Sequence, residues 1–474
     1  MSDALKTLAP LLDEFRPGAE VYVPGATGEA LILREALAAD PERAASVGFT
    51  SCLVPGMNEF DLAGLNPTTR MTSFMLPPAL RASFEAGRVR VLPLTYSETA
   101  HYLGDRASFD VGVFQIAAPD ADGLASVGIA ADFPTLAFRR SRRRIALVNR
   151  AMPRPPRGPR LPLADFDQVI EIDHPVVEGR EAPISEETGR IADRIAALIG
   201  DGAAIQTGIG GAPAAALTRL TGHRNLVIRS GMITDGYAAL ARAGALDPDG
   251  RHITGAAFGT AALYRDLVEL DLAELADTHI THGAASLAGV ERFTSINGAL
   301  EVDLFGQVNS EWRGERLVSG VGGAPDFVRA AARSPGGLSI IALASTAGGG
   351  KISRIVPRLA APTVAITRAD IDTVVTEHGA ARLKDLSLDE RAEALLAIAD
   401  PAQQAGLAEA WGKMRAAALE RTMSTPPCRS PSVWARAVTD ASSRTSSISS
   451  RGDSPSAARA AAARSPRPRS RAVR

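Results

Sequence analysis

The sequence predicts an α/β protein: two tandem open α/β domains with mostly parallel sheets, followed by a disordered tail. Short apolar runs of β type alternate with amphipathic helical segments, the pattern of strands joined by crossover helices. Runs such as LSIIALAS (338–345) are apolar almost throughout, as in strands covered on both faces. The 474 residues are 45% hydrophobic and 22% charged, a globular balance, and 43 Gly and 31 Pro supply tight turns.

In the first half, AEVYVPG (19–25) reads as a strand before the helix-like GEALILREALAAD (28–40). VRVLPLTY (89–96), DVGVFQIAAPD (110–120), RRIALVN (143–149) and QVIEID (168–173) continue the strand series, with a helix at SETAHYLGD (97–105). A Pro/Arg-rich link, MPRPPRGPR (152–160), opens a break that extends to residue 184. The second half starts with a helix over 185–202, with Ser185 as N-cap and acids in its first turn. Strands then follow at AAIQTGIGG (203–211), NLVIRSG (225–231), HITGAAFG (252–259), LSIIALAS and PTVAITRADIDTVVTEHG (362–379). Helices AAALTRLTG (214–222), GYAALARAG (236–244) and ALYRDLVEL (262–270) lie between them. The domains are placed at 1–175 and 185–423.

Residues 424–474 carry ten Arg and two Asp with no Lys or Glu, so the first 423 residues hold a net charge of −9. Rich in Ser, Arg, Pro and Ala, this tail cannot bury a core. It reads either as a basic arm for nucleic acid or membrane surface, or as translation of a shifted frame in a GC-rich gene; no function is assigned to it. The overall charge of −1 gives no argument for nucleic-acid or membrane partners. Two cysteines make no disulfide framework, and the N-terminus lacks a basic-then-apolar signal layout, so a cytoplasmic location is expected.

Among candidate sites, Gly208-Ile-Gly210-Gly211-Ala-Pro213 follows a strand and opens a helix, the context of a phosphate cradle. It is GxGGxP rather than GxGxxG, and the next strand ends near Arg229 without a ribose-binding acid, so a plain β–α turn stays open beside a dinucleotide site. His279 and His282 lack partners at any recognised metal spacing, and no metal is expected. In FTSINGALEVDLFGQVNSEWRG (293–314), Glu301 and Asp303 would share one face of a strand, with Leu300, Val302 and Leu304 on the other. An amphipathic edge strand with two solvated acids is one reading. The other draws on the Gly-dense turn Ser319-Gly320-Val321-Gly322-Gly323 nearby: a carboxylate attacks an electrophilic carbonyl and turn amides hold the oxyanion.

INGALEVDLFGQVNSE, SGVGGAPDFVRAA, STAGGGKISRIVP and VVTEHGAARLKDLSLDERAEALLAIADP, in that order, closely resemble the acetyl-CoA hydrolase/transferase family. These are class I CoA-transferases that include 4-hydroxybutyrate and acetate CoA-transferases. FQIAAPDADGLASVG and ALVNRAMPR in the first half resemble it too, so the resemblance spans about residues 10–410. It implies a CoA-transferase-like pair of α/β domains with the active site between them, usually in a homodimer. It implies Glu301 as nucleophile, Gly320, Gly322 and Gly323 as the loop at the thioester carbonyl, and Glu377 as a neighbouring acid. Thr278, His279, Ile280, Thr281 and His282 match, by position only, the segment lining the thiol end of coenzyme A.

Two departures stand out. Where the family often reads GIHTEM, this chain has Val227-Ile228-Arg229-Ser230-Gly231-Met232, and where it often reads N-D/H-P the chain has Thr281-His282-Gly283. The implied activity moves CoA from an acyl-CoA such as acetyl-CoA to 4-hydroxybutyrate or a similar short carboxylate, through an acyl-glutamyl anhydride and a glutamyl-CoA thioester. Coenzyme A enters as a substrate thioester, and no permanently bound cofactor is expected. Hydrolysis through the same glutamate is the alternative, a catalytically silent CoA-binding protein a more remote one, and a nicotinamide oxidoreductase rests on Gly208–Pro213 alone.

Overall fold

The computed structural model describes residues 3–424. Of the tail expected over 424–474, all but Ser424 lies outside the described residues. Residues 3–412 form one compact unit that contains two main sheets. Residues 413–424, the described part of a second unit, are helical.

The first sheet has seven strands, all paired in parallel. Their order is Val89–Val91, Arg70–Ser73, Gly48–Thr50, Glu20–Tyr22, Phe109–Ile116, Ser141–Asn149 and Gln168–Ile172. The second sheet repeats the layout: Glu274–Leu275, Ile253–Ala257, Val227–Ile233, Ala204–Thr207, Phe293–Gly298, Leu338–Ala342, Thr373–Val375 and Ala380–Arg382. Only the last of its pairings is antiparallel. Strands such as Ile253–Ala257 are buried along their whole length, which explains their unbroken apolar or small-residue character.

In both sheets the strands run outward to one side from an early strand, then resume on its other side. That reversal places a topological switch point between Ala204–Thr207 and Phe293–Gly298, where a crevice opens outside the carboxyl ends. The helix Glu186–Ala196 starts as its sequence requires, with the Ser185 hydroxyl accepting from the Thr188 amide at 3.1 Å. The long strand expected over 362–379 is shorter: only Thr373–Val375 joins the sheet, and Ile366 makes an isolated bridge to Val308.

The two halves are stitched together. Ala130 bridges Ala256, the Ala131 amide donates to the Gly255 carbonyl at 2.8 Å, and the Thr278 amide and hydroxyl both donate to the Asp132 carbonyl at 3.0 and 2.9 Å. The Pro/Arg-rich link is held as well, since Arg157 Nε reaches Asp271 Oδ1 at 2.9 Å.

Candidate active site

A cavity of about 280 Å³ opens at the switch point of the second sheet, against loops of the first half. Its floor is the pair Gln206 and Asn297, on neighbouring strands, whose amides hydrogen-bond each other reciprocally at 3.2 and 3.1 Å. The Gly208–Ile209 turn and the Ser319–Gly323 turn both border it. Gly322 has φ +64°, a left-handed turn that glycine adopts without a Cβ penalty. The turn runs directly into the helix Ala324–Arg333, whose positive dipole end suits a developing negative charge; Pro325 has no N–H, and the Asp326 and Phe327 amides donate to the Gly323 carbonyl at 3.1 and 3.3 Å. From the first half come Ala26, Val54, Met75, Tyr96 and Asp132.

Asp132 is the only carboxyl on this wall among the described residues. Burial pushes it up to about 7, although its Oδ1 accepts the Phe133 amide at 3.0 Å. Tyr96 stacks between Phe133 and His282, with ring centroids 5.2 and 5.0 Å away. Its hydroxyl accepts from the Cys52 thiol at 3.6 Å, and burial followed by the Asp132 charge pushes that thiol up to about 12, so Cys52 is no nucleophile at neutral pH. Burial also drives the His282 imidazole down to about 3, which keeps it neutral. His282 Nδ1 lies 2.8 Å from the Thr281 hydroxyl, and its ring packs 4.3 Å from that of Phe327.

Gly320, Gly322 and Gly323 line the cavity, and so does His282. Thr278, His279, Ile280 and Thr281 do not. Thr278 clamps Asp132, Thr281 supports His282, His279 stacks on His101 at 4.9 Å, and Ile280 is 41% exposed. The Gly208–Gly211 turn is a β–α turn; the next strand runs past Arg229 to Ile233, and the acid that follows it, Asp235, accepts from the Thr260 amide and hydroxyl at 3.0 and 2.7 Å.

The structure does not bring Glu301 to this wall. Its carboxylate accepts from Asn309 Nδ2 at 2.9 Å and joins Glu187 and Glu377 around Arg354. Arg354 donates to the Leu300 and Ala299 carbonyls at 2.8 and 2.5 Å; burial lowers its guanidinium, and the surrounding glutamates counter that pull. Glu377 belongs to the same polar group. Burial works against its ionisation, but the Ser345 hydroxyl at 2.6 Å and amide at 2.9 Å outweigh it and lower the carboxyl, while burial and then the Glu377 charge raise Glu187. The reading of two solvated acids also fails. Asp303 is fully buried and accepts from the Phe305, Gln307 and Leu359 amides and from Gln307 Nε2. With Gly306 at φ +86°, these bonds show that the D-L-x-G-Q part of the motif builds a turn.

Asp132 and Tyr96 were not candidates in the sequence; the only signal was an acid inside the apolar run GIAADFP. The two departures from the family pattern meet in space. A Cβ on Gly231 would lie 2.7 Å from His282 Cε1, so the imidazole occupies the room that a side chain at 231 would need.

The acetyl-CoA hydrolase/transferase N-terminal domain matches residues 4–178, and the C-terminal domain of the same name matches residues 259–411. The chain belongs to the acetyl-CoA hydrolase/transferase family. It is 32% identical to the 4-hydroxybutyrate coenzyme A transferase of Clostridium kluyveri over 84% of this chain and 95% of that one. It is 30% identical to the succinyl-CoA:cyclohexane-1-carboxylate CoA transferase of Geobacter metallireducens, over 73% and 81%. The crystal structure of RipA from Yersinia pestis superimposes with a TM-score of 0.78 at 26% identity, covering 87% of this chain and 97% of that one. This family of enzymes works on coenzyme A thioesters. No helix among the described residues is long and apolar enough to cross a membrane, and no group of three or more His, Cys, Asp or Glu there is placed to hold a metal ion.

Proposed function

We propose that this protein moves CoA between short-chain acyl groups and carboxylates, and that the cavity at the switch point receives the thioester. The observation that carries the reading is the convergence of the Gly208 and Gly320–Gly323 turns on one small cavity beside the start of a helix. Amides of Gly322 and Gly323 would hold the oxyanion formed when a carboxylate attacks the carbonyl, a contribution worth ~10²–10³ in rate per donor. That attack gives an acyl-carboxylate anhydride and CoA thiolate. The thiolate then attacks the enzyme carbonyl of the anhydride, forming an enzyme–CoA thioester and releasing the first carboxylate; an incoming carboxylate reverses both steps.

The motif match supports Glu301 as the attacking group, and reaching the cavity requires its carboxylate to leave Asn309. Hydrolysis is the second reading, favoured by Asp132. A buried carboxyl on the wall that titrates at about 7 is suited to take a proton from water attacking the thioester.

The test incubates the protein with acetyl-, propionyl- or butyryl-CoA and a panel of short carboxylates, following CoA esters by mass. Transfer gives acceptor-dependent exchange, ping-pong kinetics and a borohydride-trapped label on Glu301, and Glu301→Gln lowers it by about 10³ or more in a folded protein. Acceptor-independent thiol release that survives Glu301→Gln and is lost in Asp132→Asn decides for hydrolysis.

A further inference from the structure

Resting on that reading of the cavity, we infer that it admits the uncharged acyl group of a short monocarboxylic thioester and rejects the second carboxylate of a dicarboxylic one, with His282 forming the end wall of the acyl space. Among the described residues the wall carries no Lys or Arg. Val54, Met75, Met232 and Phe327 give it apolar faces. Gln206 and Asn297 each commit one side-chain N–H to the other, and the donors that remain, their second N–H groups, the Ser310 and Ser319 hydroxyls and the turn amides, carry no charge. The groups that could meet a distal carboxylate are therefore neutral or acidic. His282 supplies no charge, since burial keeps the imidazole deprotonated down to about pH 3. Asp132 turns anionic near neutrality and would repel a second carboxylate.

Burying a carboxylate without a cation or a full set of donors is costly, so a dicarboxylic acyl group loses affinity that its monocarboxylic counterpart keeps. Length is limited by the same residue. His282 is buried between Tyr96 and Phe327 and presses against Gly231 and Gly323, which have no side chains to contest the space. Among the relatives are proteins named for succinyl-CoA and one named for 4-hydroxybutyrate, so charge selection separates alternatives that family membership leaves open.

Two unreactive thioethers, S-butyl-CoA and S-(3-carboxypropyl)-CoA, are titrated calorimetrically into the full chain. The carboxylated analogue is expected to bind about 100-fold more weakly, which corresponds to about 2.8 kcal/mol. A ratio below tenfold overturns charge selection while leaving the thioester site intact. If neither analogue binds, the cavity is not the thioester site and both readings fall. His282→Asn should improve binding of S-hexyl-CoA at least about tenfold more than that of S-butyl-CoA; an equal change for both removes His282 as the end wall.

Discussion

Replacing Asp132 with Asn tests whether the cavity wall carries a buried, proton-holding carboxyl. Burial lifts this group from an ordinary value of 3.8 to about 7. The unfolded chain therefore ionises it at lower pH than the folded chain does. Stability is intact below the unfolded value, declines as pH rises, and levels off once pH has passed the folded value. Lifting the carboxyl by that much opposes ionisation by about 4 kcal/mol in total. Because the loss begins above 3.8, about 2–3 kcal/mol of it falls between pH 5 and pH 8. The asparagine side chain keeps the shape of the acid and cannot ionise. Urea unfolding of both proteins at pH 5, 6, 7 and 8 should show the variant gaining on the native protein by that amount as pH rises. Other titrating groups cancel in the difference. If the difference between the two proteins stays flat across the series, Asp132 is solvated or ion-paired, and its role in the cavity collapses with it.

Asp303→Ala should destabilise the chain by about 2–3 kcal/mol, read from denaturant midpoints, because it strips four donors from a fully buried carboxylate. A loss below about 0.5 kcal/mol would mean that the turn is not built on that side chain. Gly322→Ala should cost about 1 kcal/mol through the left-handed turn at φ +64° and, by shifting the amides beside the thioester, lower kcat/KM at least about tenfold. Unchanged turnover in that variant would place the oxyanion donors elsewhere.

Much of the architecture was legible because strand and helix periodicities are local. The helix capped by Ser185 and the apolar strand at Leu338 start where the sequence puts them, although the helix stops at Ala196 and the strand at Ala342, short of the expected ends at 202 and 345. Two errors came from local cues that packing overrides. The β-branched run over 362–379 looks like one strand, yet only Thr373–Val375 finds a partner strand in the sheet. Glu301 and Asp303 alternate as a solvated face would, yet the turn at Gly306 folds main-chain amides onto Asp303. The site was half visible. Glycine turns announce themselves in sequence, which is why Gly320, Gly322 and Gly323 are candidates there, and the structure sets them on the cavity wall. Asp132 was not, because its significance depends on Tyr96 and His282, which only the tertiary fold brings alongside. Gly231 and His282 appeared only as separate departures from a pattern, and their contact joins residues 51 positions apart.

Asp132 faces two ways, and the two uses involve different atoms. Its main-chain oxygen pins Thr278 and so helps fasten the halves, while its carboxyl belongs to the cavity. Substitution alters the second and spares the first. Descendants of this fold can therefore retune or discard the acid at that position without loosening the seam, and chemistry there is free to drift while the scaffold stays shut.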